Sequence, residues 1–198
     1  MADPGYVVVS FAWWPLDCLG RLEALRLLLR RACPEAGPWR PTRAALGSTL
    51  ASEILLSLRC AAWALLGLIP AMVVFSLVDP VRLEQGGVRL ALAALAAAGL
   101  LPAAYYAFAR LLAPLELLRA PLGAGEALEA SARRLRGRLA AFGRLAWPWL
   151  ALGWFLDLAG WALPDAVALA LSLPSLACGL LPLVLAEADG LGQAGPQP

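Results

Sequence analysis

The chain contains no histidine and no lysine, although it has 16 basic residues. Without histidine it lacks the commonest general base and the commonest metal ligand of proteins. The lack of lysine accompanies an excess of Ala, Leu, Arg, Gly and Pro, which is the composition of a GC-rich genome and excludes no function. The four cysteines form no C-x-x-C pair, and we interpret them as small buried apolar side chains.

Motifs that carry chemistry are also absent. The sequence has no nucleophile motif, no cluster of metal ligands and no glycine-rich phosphate loop. Serines such as Ser76 and Ser172 stand alone in apolar runs, where a hydroxyl usually bonds to a carbonyl one turn back. We therefore expect neither an enzyme nor a cofactor.

Charge is scarce, and apolar residues are abundant. Charged residues make up 15% of the chain and hydrophobic residues 61%, and the mean hydropathy is +0.73. Soluble domains have a much lower apolar fraction, so this composition indicates a membrane protein. The N-terminus lacks a basic region and a small-residue cleavage site, as a signal peptide would have, and its apolar run is too short to span a bilayer.

Four apolar segments are long enough to cross a bilayer core of roughly 30 Å, which takes about 20 helical residues. The first is compatible with the upper part of a longer helix that starts near Leu46 and carries Glu53 and Arg59 in its polar part. The sequence thus predicts an all-α polytopic membrane protein with four transmembrane helices. The predicted spans are Cys60 to Val78, Leu90 to Ala109, Leu145 to Leu163, and Ala166 to Ala186.

The distribution of arginine predicts the orientation of these spans. Seven arginines precede the first span, and seven lie between the second and the third. The loop between the first two spans holds only Arg82 and Arg89, and the loop between the last two holds none. Positive charge near span ends stays on the cytoplasmic side, so both termini and the middle segment are predicted to be cytoplasmic, in a multi-pass protein of the cell membrane.

One pattern, L-G-x-x-E-A-L-x-x-x-x-R-R, occurs twice, at residues 19–31 and 122–134. Both copies lie in segments with helical amphipathic periodicity, residues 17–33 and 122–144, which predicts two interfacial elbow helices. The repeat suggests two related halves, roughly 17–112 and 120–187, within one membrane domain at 1–188. Residues 189–198 have the composition of a disordered tail.

Each elbow helix has an apolar stripe, which we expect to face the bilayer. Its polar face is rich in arginine, which suits the headgroup layer, where a basic residue near anionic lipid contributes on the order of 1 kcal/mol. The apolar stripes are Cys18, Leu22, Leu25, Leu29 and Ala32 in the first helix, and Leu128, Leu135, Leu139 and Phe142 in the second.

Three interpretations of the basic faces remain open. The helices can serve only to orient the chain and close the helix bundle on one side. They can bind lipid headgroups, since guanidinium groups suit phosphate. They can also dock a nucleic acid or another partner, although no other feature favours nucleic acid. The candidate lipid-headgroup contacts are Arg30, Arg31, Arg133, Arg134, Arg136 and Arg138.

Ionisable groups within a span are candidate functional sites. Asp157 lies inside the third predicted span, and Arg89 at the outer end of the second is its candidate partner. A structural pair or hydrated cavity and a proton or substrate site remain open as explanations. Glu53 and Glu116 are predicted at the cytoplasmic edge, neutralised by nearby arginines such as Arg59, Arg110 and Arg119.

Residues 105–145 resemble a stretch shared by prokaryotic multi-span proteins that include the membrane domain of some glycerophosphoryl diester phosphodiesterases. The shared pattern is G-x-x-E-A-L-x-x-S-x-R-x-x-x-G, followed by re-entry into the membrane. This chain departs from it in its last span, which ends LPLVLAEADG where those proteins carry a tyrosine and basic residues. The resemblance implies an architecture and no hydrolase activity. The matching residues are Gly123, Glu126, Ala127, Leu128, Ser131, Arg133 and Gly137.

Taken together, these features favour a non-catalytic integral membrane protein. Its expected role is to organise the membrane or to serve as the membrane subunit of a complex, with the bilayer and its anionic lipids as partners and no nucleic acid. The alternative is a small oligomeric transporter or lipid-handling protein. The small residues at 90–99 allow a close helix contact, within the chain or in a homo-oligomer.

Overall fold

The computed structural model describes residues 4–36, 38–78, 86–161 and 165–190. Of these described residues, 88% are helical and none is in a strand. A short 3-10 turn, Pro34–Ala36, follows the first helix. The helices are α1 (Pro4–Ala32), α2 (Thr42–Leu77), α3 (Gly86–Phe108), α4 (Ala113–Arg119), α5 (Ala124–Leu135), α6 (Leu139–Trp161) and α7 (Asp165–Ala188).

Three helical segments among the described residues are long and apolar enough to cross a membrane. They are Thr42–Leu77, Gly86–Arg119 and Leu139–Leu156, and they contain the first three predicted spans or most of them. The fourth predicted span lies within α7, whose described apolar stretch is the shorter Pro174–Ala188. The helical and membrane-compatible character of the chain is therefore confirmed.

Helix α2 is continuous over 36 residues, so the first span does continue a longer helix. It pairs with α3 in a hairpin whose closest approach is at Gly67 and Gly99. A Cβ atom on either glycine would collide with the carbonyl oxygen of the other. The close contact expected from the small residues at 90–99 thus forms within the chain. Small residues allow this because membrane helices associate by close backbone packing.

The two elbow segments differ from their predicted bounds. Helix α1 begins at Pro4, well before the predicted start at residue 17. The second segment is not one helix: α5 ends at Leu135, and α6 begins at Leu139. Gly137 lies between them with φ of 76°, a left-handed conformation that ends a helix at little cost only in glycine.

The apolar stripes of both elbow segments are buried inside the protein. The expectation that they face the bilayer is wrong, because they pack against α2, α4 and α7 in the main hydrophobic core. Alanine 32 is the exception and is exposed. Leu139 is partly buried against the same core. The fully or almost fully buried members are Cys18, Leu22, Leu25, Leu29, Leu128, Leu135 and Phe142.

The two hairpins, α2 with α3 and α6 with α7, are joined through what we call the connecting layer, which consists of α1, α4 and α5. Helix α1 contacts α2 and α7, and α5 contacts α2 and α4. No extensive contact among the described residues joins a helix of one hairpin directly to a helix of the other. The core therefore sits in the connecting layer, where it holds the hairpins together at one end.

Candidate functional site: a buried ion-pair network and an adjoining cavity

Four charged residues form a network in the connecting layer. Arg134 of α5 donates to Glu116 of α4 at 2.6 Å and also to Glu187 near the end of α7. Glu187 accepts a further bond from Arg119 through its other oxygen. The Arg134 side chain is only 8% exposed, and that of Glu187 only 4%. Two positive and two negative groups are thus paired at a depth where an unpaired charge would be strongly unfavourable.

This network corrects two expectations. Arg134 was a candidate lipid-headgroup contact, but it is buried and points into the protein. Glu116 is paired with Arg134 of α5, which is not among the candidates Arg59, Arg110 and Arg119. The adjacent Arg133 is exposed, so the two arginines of one pair have different environments.

The segment before α2 closes the end of α4. The backbone N–H of Arg40 donates to the carbonyl of Leu118 at 2.8 Å, and its guanidinium donates to the carbonyl of Ala120 at 3.0 Å. The last carbonyls of a helix have no partner inside it, so these bonds complete the hydrogen bonding of α4. The Arg119 guanidinium lies 6.0 Å from the ring of the buried Trp39, which holds the same segment.

Ser131 fastens α5 to the turn between α3 and α4. Its hydroxyl accepts from the backbone N–H of Leu112 at 3.1 Å and donates to the carbonyl of Ala109 at 3.1 Å. The residue is fully buried. One side chain thus satisfies two backbone groups where the chain turns, which is the structural role of the serine in the G-x-x-E-A-L-x-x-S-x-R-x-x-x-G pattern.

The glycine and glutamate of the motif begin α5. The backbone N–H of Gly123 donates to the Glu126 carboxylate at 2.9 Å, which satisfies a free group at the helix start. The first copy of the motif differs, since Gly20 and Glu23 lie inside α1. There the Glu23 carboxylate accepts a bond of 2.6 Å from Thr42 at the start of α2. The same residue types therefore have different structural roles in the two copies of the motif.

The other predicted arginine contacts lie at the surface or near it. Arg30, Arg31, Arg133 and Arg136 are exposed, and Arg138 is half-buried with contacts to other groups. Arg89 is exposed in the first turn of α3 and also has an interaction. The side chain of Asp157 lies outside the described residues, so its pairing with Arg89 stays a prediction.

A cavity of about 700 Å³ lies beside α4 and α5, the helices that carry part of the network, and its wall includes a charged cluster. Arg21 of α1 lies 3.0 Å from Asp17 and 3.3 Å from Glu53 of α2. The indole N–H of Trp14 also donates to Glu53, at 2.9 Å. Burial and the Glu53 carboxylate raise the pKa of the neighbouring Cys18 to about 11, so this cysteine stays a neutral thiol.

The rest of the cavity wall is mainly apolar. It is formed by α7 together with parts of α1, α2 and the turn between α3 and α4, and includes Leu56, Leu176 and Leu180. Arg110 in that turn also lines it. The Arg110 guanidinium lies 3.4 Å from the centroid of the Tyr106 ring, and the Tyr106 hydroxyl accepts a bond from Arg59 at 3.0 Å. The cavity is therefore amphipathic, with charge of both signs on its wall.

No group of three or more cysteine and carboxylate side chains in the described ranges is arranged to hold a metal ion. The four cysteines are unbridged; Cys18 and Cys178 are buried as the sequence predicts, whereas Cys33 and Cys60 are only partly buried.

Sequence reasoning missed the central role of Glu187 and the cluster around Glu53. A signal for Glu187 was present, because the last predicted span ends in an acidic residue. In a chain with an excess of arginine near the same membrane side, such an acid predicts a partner from another segment. The cluster around Glu53 depends on the packing of α1 against α2, for which the sequence carries no spacing signal.

Comparison with known proteins adds no relative: no family model, no curated protein and no solved structure matches this chain.

Proposed function

We propose that the chain is a non-catalytic, multi-pass protein of the cytoplasmic membrane that organises anionic lipids beside its connecting layer. In this arrangement α2, α3, α6 and α7 span the bilayer, and both termini and the connecting layer are cytoplasmic. The three apolar helices support the membrane location. The excess of arginine around the connecting layer supports the orientation.

The contrast between Arg133 and Arg134 carries the proposal. Arg134 holds α5 in the protein through buried ion pairs, and the apolar face of α5 is buried as well. The exposed Arg133 therefore lies on a fixed helix, and the exposed Arg136 is the residue directly after its end. A planar guanidinium binds phosphate through paired hydrogen bonds, so arginines held in this way suit lipid headgroups.

A second basic site lies at the end of α1. Arg30 and Arg31 occupy its last turn and are exposed. The apolar face of this helix is also buried, so its arginines are likewise held by a fixed helix. Because each basic residue near anionic lipid contributes about 1 kcal/mol, four such arginines suffice to enrich anionic lipid around the connecting layer.

The test compares two double variants with the same change of charge. R133Q/R136Q removes two exposed arginines of the connecting layer, and R82Q/R89Q removes the two arginines of the predicted outer loop. Each protein is reconstituted in nanodiscs that contain equal phosphatidylglycerol and phosphatidylcholine, and the lipids that stay bound after extraction are counted by native mass spectrometry. We expect the preference of R133Q/R136Q for phosphatidylglycerol to fall at least about tenfold. The reason is that the loss of two arginines removes about 2 kcal/mol of attraction to anionic lipid.

The control variant R82Q/R89Q should keep the wild-type preference. Equal preference in wild type and R133Q/R136Q would contradict the proposal. Accessibility mapping of both variants then distinguishes lipid binding from an effect on orientation alone. A reversed orientation of R133Q/R136Q with unchanged lipid binding would mean that these arginines only orient the chain.

A further inference from the structure

The cavity wall combines charged and apolar side chains. Asp17, Arg21 and Glu53 are among the charged ones, and Leu176 and Leu180 are among the apolar ones. The α7 residues on its wall run from Ser172 to Leu183, about 16 Å at 1.5 Å per residue. A molecule with a polar head and an apolar tail fits this distribution, whereas a uniformly polar or uniformly apolar ligand would leave one part unmatched.

The cavity is open on the side where the hairpins diverge. Ser57 on α2 and Ser172 and Gly179 on α7 line the cavity and are exposed at the same time. Helices α2 and α7 have no extensive contact among the described residues. In a bilayer this side faces lipid, so a lipid molecule reaches the cavity by lateral movement and its acyl chains stay in an apolar environment.

The charges on the wall select among headgroups. The wall carries two carboxylates, Asp17 and Glu53, and two guanidinium groups, Arg21 and Arg110. Arg21 is ion-paired with both carboxylates, yet its side chain is 38% exposed and remains accessible. An anionic headgroup would face the carboxylates without compensation, and a purely cationic one would face the arginines. A headgroup that carries a phosphate and an ammonium matches both.

The form of the ammonium matters as well. A primary ammonium has three N–H donors, and it forms charge-assisted hydrogen bonds with carboxylates. A quaternary ammonium has none, so it offers only the charge. The volume of about 700 Å³ lies within the range of roughly 300–1,000 Å³ for ligand sites.

We propose that this cavity binds one phospholipid molecule with a phosphate and primary-ammonium headgroup, of which phosphatidylethanolamine is the probe. Asp17 and Glu53 receive the ammonium, Arg21 and Arg110 receive the phosphate, and an acyl chain lies along Leu176 and Leu180. This site is separate from the exposed arginines of the proposed function, since none of those four residues lines the cavity.

A pair of glycine substitutions tests occupancy. G179W places a large side chain in the cavity, and a Cβ at this position meets no atom within 4 Å. G47W makes the same change on α2 outside the cavity, where a Cβ also meets nothing within 4 Å. Native mass spectrometry after reconstitution in nanodiscs of phosphatidylethanolamine and phosphatidylcholine counts the bound lipid. We expect one phosphatidylethanolamine on wild type and G47W, and at least a tenfold loss on G179W.

A second pair tests the headgroup and does not depend on the folding of G179W. D17N removes one carboxylate from the cavity, whereas E35Q removes an exposed carboxylate elsewhere. In mixtures of phosphatidylethanolamine and phosphatidylglycerol, we expect D17N to shift the bound lipid towards phosphatidylglycerol by several-fold. E35Q should behave as wild type.

Three results would overturn the proposal. They are equal lipid retention by G179W and G47W, a wild-type preference for phosphatidylglycerol or phosphatidylcholine in the cavity, and an unchanged selectivity in D17N. R133Q/R136Q distinguishes this proposal from the proposed function. This variant should lose the preference for anionic lipid and keep the single bound phosphatidylethanolamine.

Discussion

Arg134 and Glu187 form a buried ion pair although 53 residues separate them in the sequence. The pair joins α5, in the middle of the chain, to the last turns of α7. Glu187 also binds Arg119, so one carboxylate links α7 to both short helices of the connecting layer. The position of the second hairpin on the connecting layer therefore depends on this residue.

Glu187→Gln should destabilise the protein strongly. The substitution removes a carboxylate from both Arg119 and Arg134, and breaking one side of a buried ion pair such as Arg134–Glu187 costs about 3–5 kcal/mol. Asp189→Asn is the matched control, because it removes an exposed carboxylate two residues further along. Thermal unfolding in detergent micelles, followed by circular dichroism, measures both. A midpoint of Glu187→Gln equal to that of the control would refute the role of the network.

A double-mutant cycle isolates the pair itself. The double variant Arg134→Gln/Glu187→Gln should lose less stability than the sum of the losses of the two single variants. The reason is that the second substitution removes a charge that the first left unpaired. We expect a coupling energy of about 1–3 kcal/mol. Additive effects would mean that the two residues act independently.

Ser131→Ala should loosen the turn between α3 and α4. It leaves the N–H of Leu112 and the carbonyl of Ala109 without their serine partner in a buried place. We expect a loss of about 1–3 kcal/mol in the free energy of unfolding. Ser76→Ala serves as control, since the Ser76 hydroxyl is exposed and bonds only to a carbonyl of its own helix. Equal stability of the two variants would argue against the role of Ser131.

The bond between Thr42 and Glu23 should depend on pH. The Thr42 hydroxyl, the largest cause, lowers the pKa of Glu23 below its ordinary value of 4.5. A lowered pKa means that the charged carboxylate stabilises the folded protein above pH 4.5, and that this stabilisation is lost as the pH falls through the lowered value. Thr42→Val should therefore reduce the unfolding midpoint more at neutral pH than in acid. Thr42→Ser keeps the hydroxyl and should follow wild type, and a deficit of Thr42→Val that is independent of pH would contradict this assignment.

Gly67→Ala should destabilise the protein and Gly47→Ala should stabilise it, although both residues lie on α2. Alanine is favoured over glycine in a helix by up to about 1 kcal/mol, and at Gly47 a Cβ meets nothing within 4 Å. At Gly67 it collides with the backbone of Gly99, so the helices must separate at a cost of about 1–3 kcal/mol. Unfolding in micelles gives the sign of each effect. Stabilisation by Gly67→Ala would show that the hairpin does not need this contact.

Periodicity and composition predicted the helices because they depend on local sequence. The apolar stripe of α5 was identified correctly through Leu128 and Leu135, yet its surroundings were not, since an apolar face looks the same whether it meets lipid or protein. The break at Gly137 had a local signal, a glycine after a basic last turn. The partner of Arg134 had none, because a contact across 53 residues leaves no trace in spacing.

The order of synthesis gives the network a further consequence. Arg119, Arg134 and Glu116 leave the ribosome before Glu187, so the bonds of the network to Glu187 form only when the end of α7 arrives. Completion of the last hairpin is thus coupled to closure of the connecting layer. A chain that stops before Glu187 lacks the carboxylate that joins α7 to α4 and α5, so loss of the last helix end weakens the connecting layer as well as the second hairpin.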